Sequence, residues 1–122
     1  MRLAALGAVL LLAACAEAVE APLDRGACWH MVPAAEKGAA PKFNRLPGEY
    51  PSMEFCAAGL EMVRLQGARQ EITGAYQGRF VFATSRGIFV GQTLEGSRYL
   101  SLVRTRDGRL VIPGAQNLPA PR

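Results

Sequence analysis

The stretch QEITGAYQGRFVFATSRGIFVGQT, Gln70 to Thr93, decides the fold of this chain. It contains three short runs rich in aromatic and β-branched residues, separated by Gln77-Gly78 and by Ser85-Arg86-Gly87. Such runs, bounded by turn residues, are typical of β-strands joined by hairpins. Because connections this short allow only antiparallel neighbours, the stretch predicts the centre of an antiparallel sheet.

Two further runs continue this pattern towards the C-terminus. RYLSLVRT, Arg98 to Thr105, is followed after Asp107-Gly108 by the shorter run RLVIP, Arg109 to Pro113. Asp-Gly between apolar runs is a strong hairpin signal. The runs therefore predict a four- or five-stranded antiparallel meander. We expect its core to contain Phe80, Phe82, Ile88, Val90, Leu100 and Leu102.

A helix is predicted immediately before the strands, over SMEFCAAGLEMVRLQG, Ser52 to Gly67. Ser52 is an N-cap candidate, and Gly67 lies where a left-handed C′ residue is expected. Glu61 and Arg64, three residues apart, are expected on a polar edge. The apolar side chains at helical spacing are Met53, Cys56, Ala57, Leu60 and Val63.

The predicted fold class is α+β, with one helix packed on the four- or five-stranded antiparallel meander and a disulfide as a staple. If Leu60 to Gln66 were a strand instead, a small all-β barrel would be the alternative. Upstream of the helix, Ala27 to Val32 reads as an edge strand. Pro33 to Ser52, with four prolines, reads as a long loop. The domain is expected to span residues 27–113, with a frayed tail over 114–122.

The N-terminus has the layout of a secretory signal. A single positive charge at Arg2 precedes an uncharged apolar segment, Leu3 to Ala14. Twelve apolar residues are too few to span a bilayer, which needs about 20. We therefore expect residues 1–14 to be a signal peptide and residues 15–26 to tether the domain.

The end of this segment, Leu12-Ala13-Ala14-Cys15, resembles the lipobox of bacterial lipoproteins. The resemblance implies cleavage before Cys15, diacylation of its sulfur, and acylation of its new amine. It also implies the outer membrane rather than the inner membrane, since position 16 is Ala and not Asp. Ordinary signal-peptidase cleavage after Ala16 to Ala18 would instead give a secreted soluble protein. A start artefact in a cytosolic protein is the third possibility.

Cys15 is not a free thiol with either cleavage site. After cleavage before Cys15 its sulfur is acylated, and cleavage after Ala18 removes it with the leader. The remaining pair, Cys28 and Cys56, predicts a disulfide in an oxidising compartment. Closing this loop is expected to stabilise the domain by roughly 3 kcal/mol. Cleavage before Cys15 leaves 108 residues, enough for one small domain, with 13 basic and 10 acidic side chains.

No catalytic set is evident, and the chain is predicted not to be an enzyme. His30 is the only histidine, and neither a GxSxG elbow nor a phosphate loop occurs. A copper or zinc site using Cys28, His30 and Cys56 matches no strong spacing signature. We therefore predict no metal ligands and no cofactor, and keep metal handling as an alternative function.

The basic residues concentrate in the β half of the chain. Alternation along the strands could place several of them on one outer face, as a docking surface for an acidic protein or envelope component. No block of five basic residues occurs, and nucleic acid is not expected as a partner. The candidate binding residues are Arg79, Arg86, Arg98 and Arg104.

The sequence thus predicts a small non-catalytic lipoprotein of the cell envelope, anchored to the membrane through Cys15. Its expected role is as a binding or accessory module for an envelope protein or component. Periplasmic inhibitors of lysozymes or proteases, which are built on comparable lipidated and disulfide-stapled domains, supply a further alternative by analogy.

Overall fold

The computed structural model describes residues 18–116. Its elements in chain order are β1 (Cys28–Val32), β2 (Lys42–Arg45), α1 (Met53–Gln66), β3 (Glu71–Tyr76), β4 (Arg79–Thr84), β5 (Gly87–Gly91), β6 (Arg98–Arg104) and β7 (Leu110–Val111). One antiparallel sheet has the strand order β2-β1-β3-β4-β5-β6-β7, and α1 packs across β1, β3 and β4. The predicted α+β class is confirmed, with seven strands in place of four or five.

Several sequence predictions concern the two ends of the chain. The signal peptide over residues 1–14, the lipidation of Cys15 and the last six residues of the expected tail lie outside the described residues. Residues 18–26 are described, and they differ from a free tether. Ala21 is buried against the sheet, and the Pro22 carbonyl accepts a hydrogen bond from Gly78 N at 2.8 Å. The chain therefore contacts the domain several residues before β1 begins.

The N-terminal half of the sheet was incompletely predicted. β1 is not an edge strand, because β2 pairs with it on one side and β3 on the other. β2 lies inside the stretch expected to be a loop, between Pro41 and Pro47. Proline is compatible with the flanks of a sheet edge, where only one side of the strand must pair. A proline-rich stretch therefore contributes a four-residue edge strand.

The helix begins as predicted and ends differently. Ser52 Oγ accepts a hydrogen bond from Phe55 N at 3.3 Å, as expected of an N-cap. At the other end, Gly67 is right-handed, with φ −85°, and the left-handed residue is Ala68, with φ +50°. Arg69 N donates to Arg64 O, and Ala68 N donates to Leu65 O, which is the Schellman pattern with Ala68 at C′. The prediction of Gly67 at C′ was wrong by one residue.

The sheet buries apolar side chains on both faces. The face that contacts α1, here called the helix face, holds a cluster with Cys28, Cys56, Ala57, Leu60, Ile72, Tyr76, Val81, Ala83, Ile88 and Leu102. The opposite face, here called the aromatic face, holds Ala75, Phe80 and Phe82, with Trp29, Met31, Phe43, Phe89 and Leu94 packed around them. Val19 and Ala21 of the N-terminal segment also belong to this second cluster.

The predicted core is confirmed at five of its six positions and divided between the two faces. Phe80 and Phe82 lie on the aromatic face, whereas Ile88 and Leu102 lie on the helix face. Val90 is also fully buried. Leu100 was wrongly predicted, since it is 38% exposed. Ile88 pairs with Leu102 but Phe89 pairs with Leu100, so that β6 carries an extra residue in a bulge there.

Two contacts hold α1 close to β1 and β3. Cys28 and Cys56 form the predicted disulfide, with 5.3 Å between their Cα atoms. Gly74 on β3 provides the close approach, because a Cβ built there would lie 2.6 Å from Leu60 Cδ2 and from Trp29 O. Leu60 to Gln66 is helical throughout. The strand on which the alternative barrel depended is therefore absent.

Candidate functional site

The outer side of α1 presents an apolar surface to solvent. Phe55, Ala58, Met62 and Leu65 are spaced by three, four and three residues, which places them along one side of a helix. The side chains of Phe55, Met62 and Leu65 are 61%, 56% and 56% exposed. We call these four residues the helix outer surface. Single exposed apolar residues are ordinary, but three large ones aligned on one short helix are typical of an interaction site.

A shallow groove adjoins this surface between α1 and the C-terminal strand. It encloses about 420 Å³ and is lined mainly by apolar side chains, among them Ala58, Leu102, Leu110 and Ile112. Ile112, just after β7, is 70% exposed. The groove and the helix outer surface share Ala58, so that they form one continuous apolar region.

The four predicted binding arginines do not share one face. Arg79 lies on the helix face, where its Nη1 is 3.5 Å from Tyr99 Oη. Arg104 also points towards α1, where it pairs with Glu61. Arg86 and Arg98 lie over aromatic rings on the opposite face. The structure therefore places two of them on each face of the sheet, at opposite ends of the strands, and their role in binding stays a prediction.

Arg104 belongs to a buried ion cluster between α1 and β6. Glu61 Oε1 lies 2.9 Å from Arg104 Nη2 and 2.6 Å from Arg64 Nη2. Arg104 also donates hydrogen bonds to the carbonyls of Thr84, Ser85 and Gly108. Burial alone would raise the pKa of Glu61, but hydrogen bonds from Arg64 and Arg104 outweigh burial and lower it. Glu61 and Arg64 are each only 7% exposed, so their predicted position on a polar edge was wrong.

On the aromatic face the arginines stack on phenylalanines. Arg98 Cζ lies 3.4 Å from the centroid of the Phe82 ring, and Arg98 Nη1 is 3.0 Å from Glu71 Oε1. Arg86 Cζ lies 5.9 Å from the Phe89 ring centroid, within cation–π range. Among residues 18–116, Trp29 Nε1 is the one buried side-chain nitrogen or oxygen without a hydrogen-bond partner. This face combines aromatic area with positive charge.

In the hypothetical metal site of Cys28, His30 and Cys56, the two sulfur ligands are not available. Both sulfurs are joined in the disulfide, so neither is a thiolate. Residues 18–116 hold no group of three or more His, Cys, Asp or Glu side chains placed to bind a metal. Met31, whose thioether is the nearest other soft donor in β1, lies on the aromatic face, whereas the disulfide lies on the helix face.

His30 lines a separate cleft of about 290 Å³ at the end of β1, together with Arg69, Glu71 and Thr73. Burial lowers the pKa of His30, and the positive charge of Arg69 lowers it further. His30 accordingly stays neutral near pH 7. None of the described hydrogen bonds joins it to a serine hydroxyl or a carboxylate.

The helix outer surface was missed by the sequence reasoning, although its signal was present. The apolar stripe from Met53 to Val63 accounts for the buried side of α1. Phe55, Met62 and Leu65 are the large apolar residues left over, and they share the opposite side. Apolar residues left over on a helix after its core stripe has been assigned are the pattern that would have indicated this surface.

Comparison of the chain with protein-family models, with curated proteins and with solved structures finds no match. Within residues 18–116, no helix is long and apolar enough to cross a membrane. The function must therefore be inferred from the chemistry of the surfaces described above.

Proposed function

We propose that this protein is a small non-catalytic lipoprotein of the cell envelope, anchored through Cys15, that binds a protein partner through the helix outer surface. Its place is the periplasmic side of the outer membrane. The leader sequence and its lipobox-like end support the anchor. The disulfide between Cys28 and Cys56 is in keeping with an oxidising compartment.

The observation that carries the binding role is the exposure of Phe55, Met62 and Leu65 on one side of α1. Leaving three large apolar side chains more than half exposed costs free energy. Full burial of an exposed side chain of this size is worth roughly 1.5–3 kcal/mol, and each of these would gain about half of that, since it is already partly buried. A partner that covers these side chains recovers this free energy. The adjoining groove at Leu110 and Ile112 widens the apolar area available to such a partner.

The alignment on one helix also favours a particular mode of binding. Residues at positions 55, 58, 62 and 65 have the spacing with which an amphipathic helix engages an apolar groove or a second helix. The partner expected from this geometry is an envelope protein with a complementary apolar surface. An inhibitor of an envelope enzyme would be one member of this class.

The proposal can be tested by site-specific photo-crosslinking in intact cells. A photoreactive amino acid is placed at Met62, on the helix outer surface. A second is placed as a control at Lys37, which is exposed in the connection between β1 and β2. We expect a discrete cross-linked product from position 62 and none of the same size from position 37.

A charge substitution makes the test specific. Leu65→Glu in the strain carrying the probe at position 62 should abolish the product, because a carboxylate would be desolvated at the contact. Gln66→Glu, which adds the same charge at the neighbouring exposed position, should leave the product in place. The proposal fails if position 62 yields no product, or if both substitutions act alike.

A further inference from the structure

The aromatic face gathers most of the aromatic residues of the chain. The sequence has five phenylalanines and one tryptophan. Trp29, Phe43, Phe80, Phe82 and Phe89 all belong to the cluster on this face. Of the phenylalanines only Phe55 lies elsewhere, on α1, and Tyr50 and Tyr76 belong to the cluster on the helix face. The helix face, which α1 buries, would by itself supply the apolar core that a small α+β domain needs. The second, aromatic layer therefore needs an explanation of its own.

This face also receives the N-terminal segment. Ala21 belongs to the same buried cluster as Phe80 and Phe82, and Val19 packs against this cluster. Cys15 precedes Val19 by four residues, and four residues of fully extended chain reach at most about 14 Å. If Cys15 carries the lipid, the part of the domain near Val19 must lie close to the bilayer surface. Because Val19 contacts the aromatic face, this is the face held nearest to the lipid.

Arginine accompanies the aromatic rings on this side of the sheet. Arg98 stacks on Phe82, and Arg86 lies over Phe89. Arg45 is directly opposite Trp29 in the pairing of β1 with β2, which places it on the same face. Two acidic groups on this side are paired, Glu71 with Arg98 and Glu49 with Arg45, while Glu20, between Val19 and Ala21, is exposed.

Apolar side chains remain accessible around the same arginines. Phe89 and Leu94 are partly exposed, and Leu100, paired with Phe89 across β5 and β6, is 38% exposed. Leu23, in the N-terminal segment, is 80% exposed beside the turn at Gly78. Aromatic and aliphatic side chains interleaved with arginine suit the boundary between lipid headgroups and acyl chains.

We propose that the aromatic face rests on the headgroup region of the membrane that holds Cys15, with Arg86 contacting anionic headgroups. This inference rests on the proposed anchor at Cys15. It deepens the proposed function, because the sheet then separates the membrane from α1. The helix outer surface points away from the bilayer and is accessible to a partner.

The single tryptophan provides a direct test. The full mature protein, purified from membranes with its native N-terminus, is reconstituted in vesicles of phosphatidylethanolamine and phosphatidylglycerol. Brominated acyl chains quench tryptophan emission only at short range. We expect a progressive loss of Trp29 emission as brominated lipid replaces unlabelled lipid.

A matched variant moves the probe to the other side of the sheet. Trp29→Phe combined with Phe55→Trp leaves one tryptophan, on the helix outer surface. Its emission should stay constant over the same lipid series. Circular dichroism of both proteins checks that they are folded. Replacing Arg86 by Glu in the protein with Trp29 should reduce the quenching.

The outcomes separate this inference from the proposed function. The mass of the N-terminal peptide shows whether the purified protein carries lipid at Cys15. If it does, and emission is quenched equally from both positions or more strongly from position 55, the orientation is overturned while the anchored binding module stands. If the protein carries no lipid, the anchor and the orientation are both overturned.

Discussion

Glu61 on α1 and Arg104 on β6 form a buried ion pair, with 2.9 Å between Glu61 Oε1 and Arg104 Nη2. Arg64 Nη2 approaches the same carboxylate oxygen, so one buried carboxylate is the counter-ion of two guanidinium groups. Through the carbonyls that Arg104 reaches, the pair also joins the β4–β5 and β6–β7 connections to the helix. Arg104, which the sequence suggested as a binding residue, thus connects α1 to two of the loops between strands.

Removing the charge of Glu61 should therefore destabilise the fold. Glu61→Gln leaves Arg64 and Arg104 buried without a counter-charge, and we expect a loss of about 3–5 kcal/mol in the free energy of unfolding. Urea denaturation at pH 7 measures it. Glu54→Gln, on the exposed first turn of the same helix, is the control and should cost less than about 1 kcal/mol. Equal effects of the two substitutions would show that the ion cluster contributes nothing specific.

The same pair gives the stability of the domain a defined pH dependence. Because the pKa of Glu61 is lower in the folded than in the unfolded protein, its contribution is fully present above the ordinary carboxyl pKa. The contribution is lost as the pH falls from that value through the folded pKa. We expect the wild type to lose more stability than Glu61→Gln between pH 7 and pH 3. Parallel stability curves for the two proteins would contradict this assignment.

Ala68→Gly should stabilise the protein. Ala68 occupies the left-handed C′ position, with φ +50°, which glycine adopts without the steric cost of a Cβ. We expect a gain of about 0.5–1 kcal/mol, measured as an upward shift of the melting temperature. Ala58→Gly, an identical change in the exposed middle of α1, should instead destabilise by about 1 kcal/mol. Shifts of the same sign would refute the cap geometry.

Gly74→Ala should destabilise the contact between α1 and β3. The new methyl group would collide with Leu60 Cδ2 and Trp29 O, each 2.6 Å from the built Cβ. We expect a cost of about 1–3 kcal/mol from overpacking. In a double-mutant cycle with Leu60→Ala, the combined loss should be smaller than the sum of the single losses, since the shorter side chain removes half of the collision. Strict additivity would mean that helix and strand are not in close contact there.

His30 should titrate below pH 6.5. Burial, and then the charge of Arg69, disfavour the imidazolium form. NMR chemical shifts of the imidazole protons measure its pKa directly. Arg69→Gln should raise the midpoint only part of the way to 6.5, because burial is the larger cause. A midpoint at or above 6.5 in the wild type would contradict the described environment of His30.

The local elements were accessible from the sequence because local chemistry specifies them. Ser52 sets the start of α1, and turn residues between alternating runs set strands β3 to β7. The even pair Cys28 and Cys56 indicated the disulfide. The cap and turn signals each involve only a few neighbouring residues. The disulfide signal depends only on the number of cysteines.

The remaining features depend on long-range packing. Alternation showed that Phe80 and Val81 face opposite sides of β4, but not that both sides are buried. The bulge that exposes Leu100 leaves no mark in the sequence of β6. The burial of Glu61 requires Arg104, 43 positions later, and no spacing within α1 indicates this partner. The arginines could be named, but their faces could not be assigned without the register of the sheet.

The central claim is that this domain is anchored through Cys15 and presents α1 to a partner. The mass of the N-terminal peptide of the mature protein, isolated from envelope membranes, tests the anchor most directly. The account predicts a peptide that begins at Cys15 and carries acyl chains on its sulfur and on its amine. A peptide that begins at Met1, or an unmodified one that begins at Val19, would contradict it.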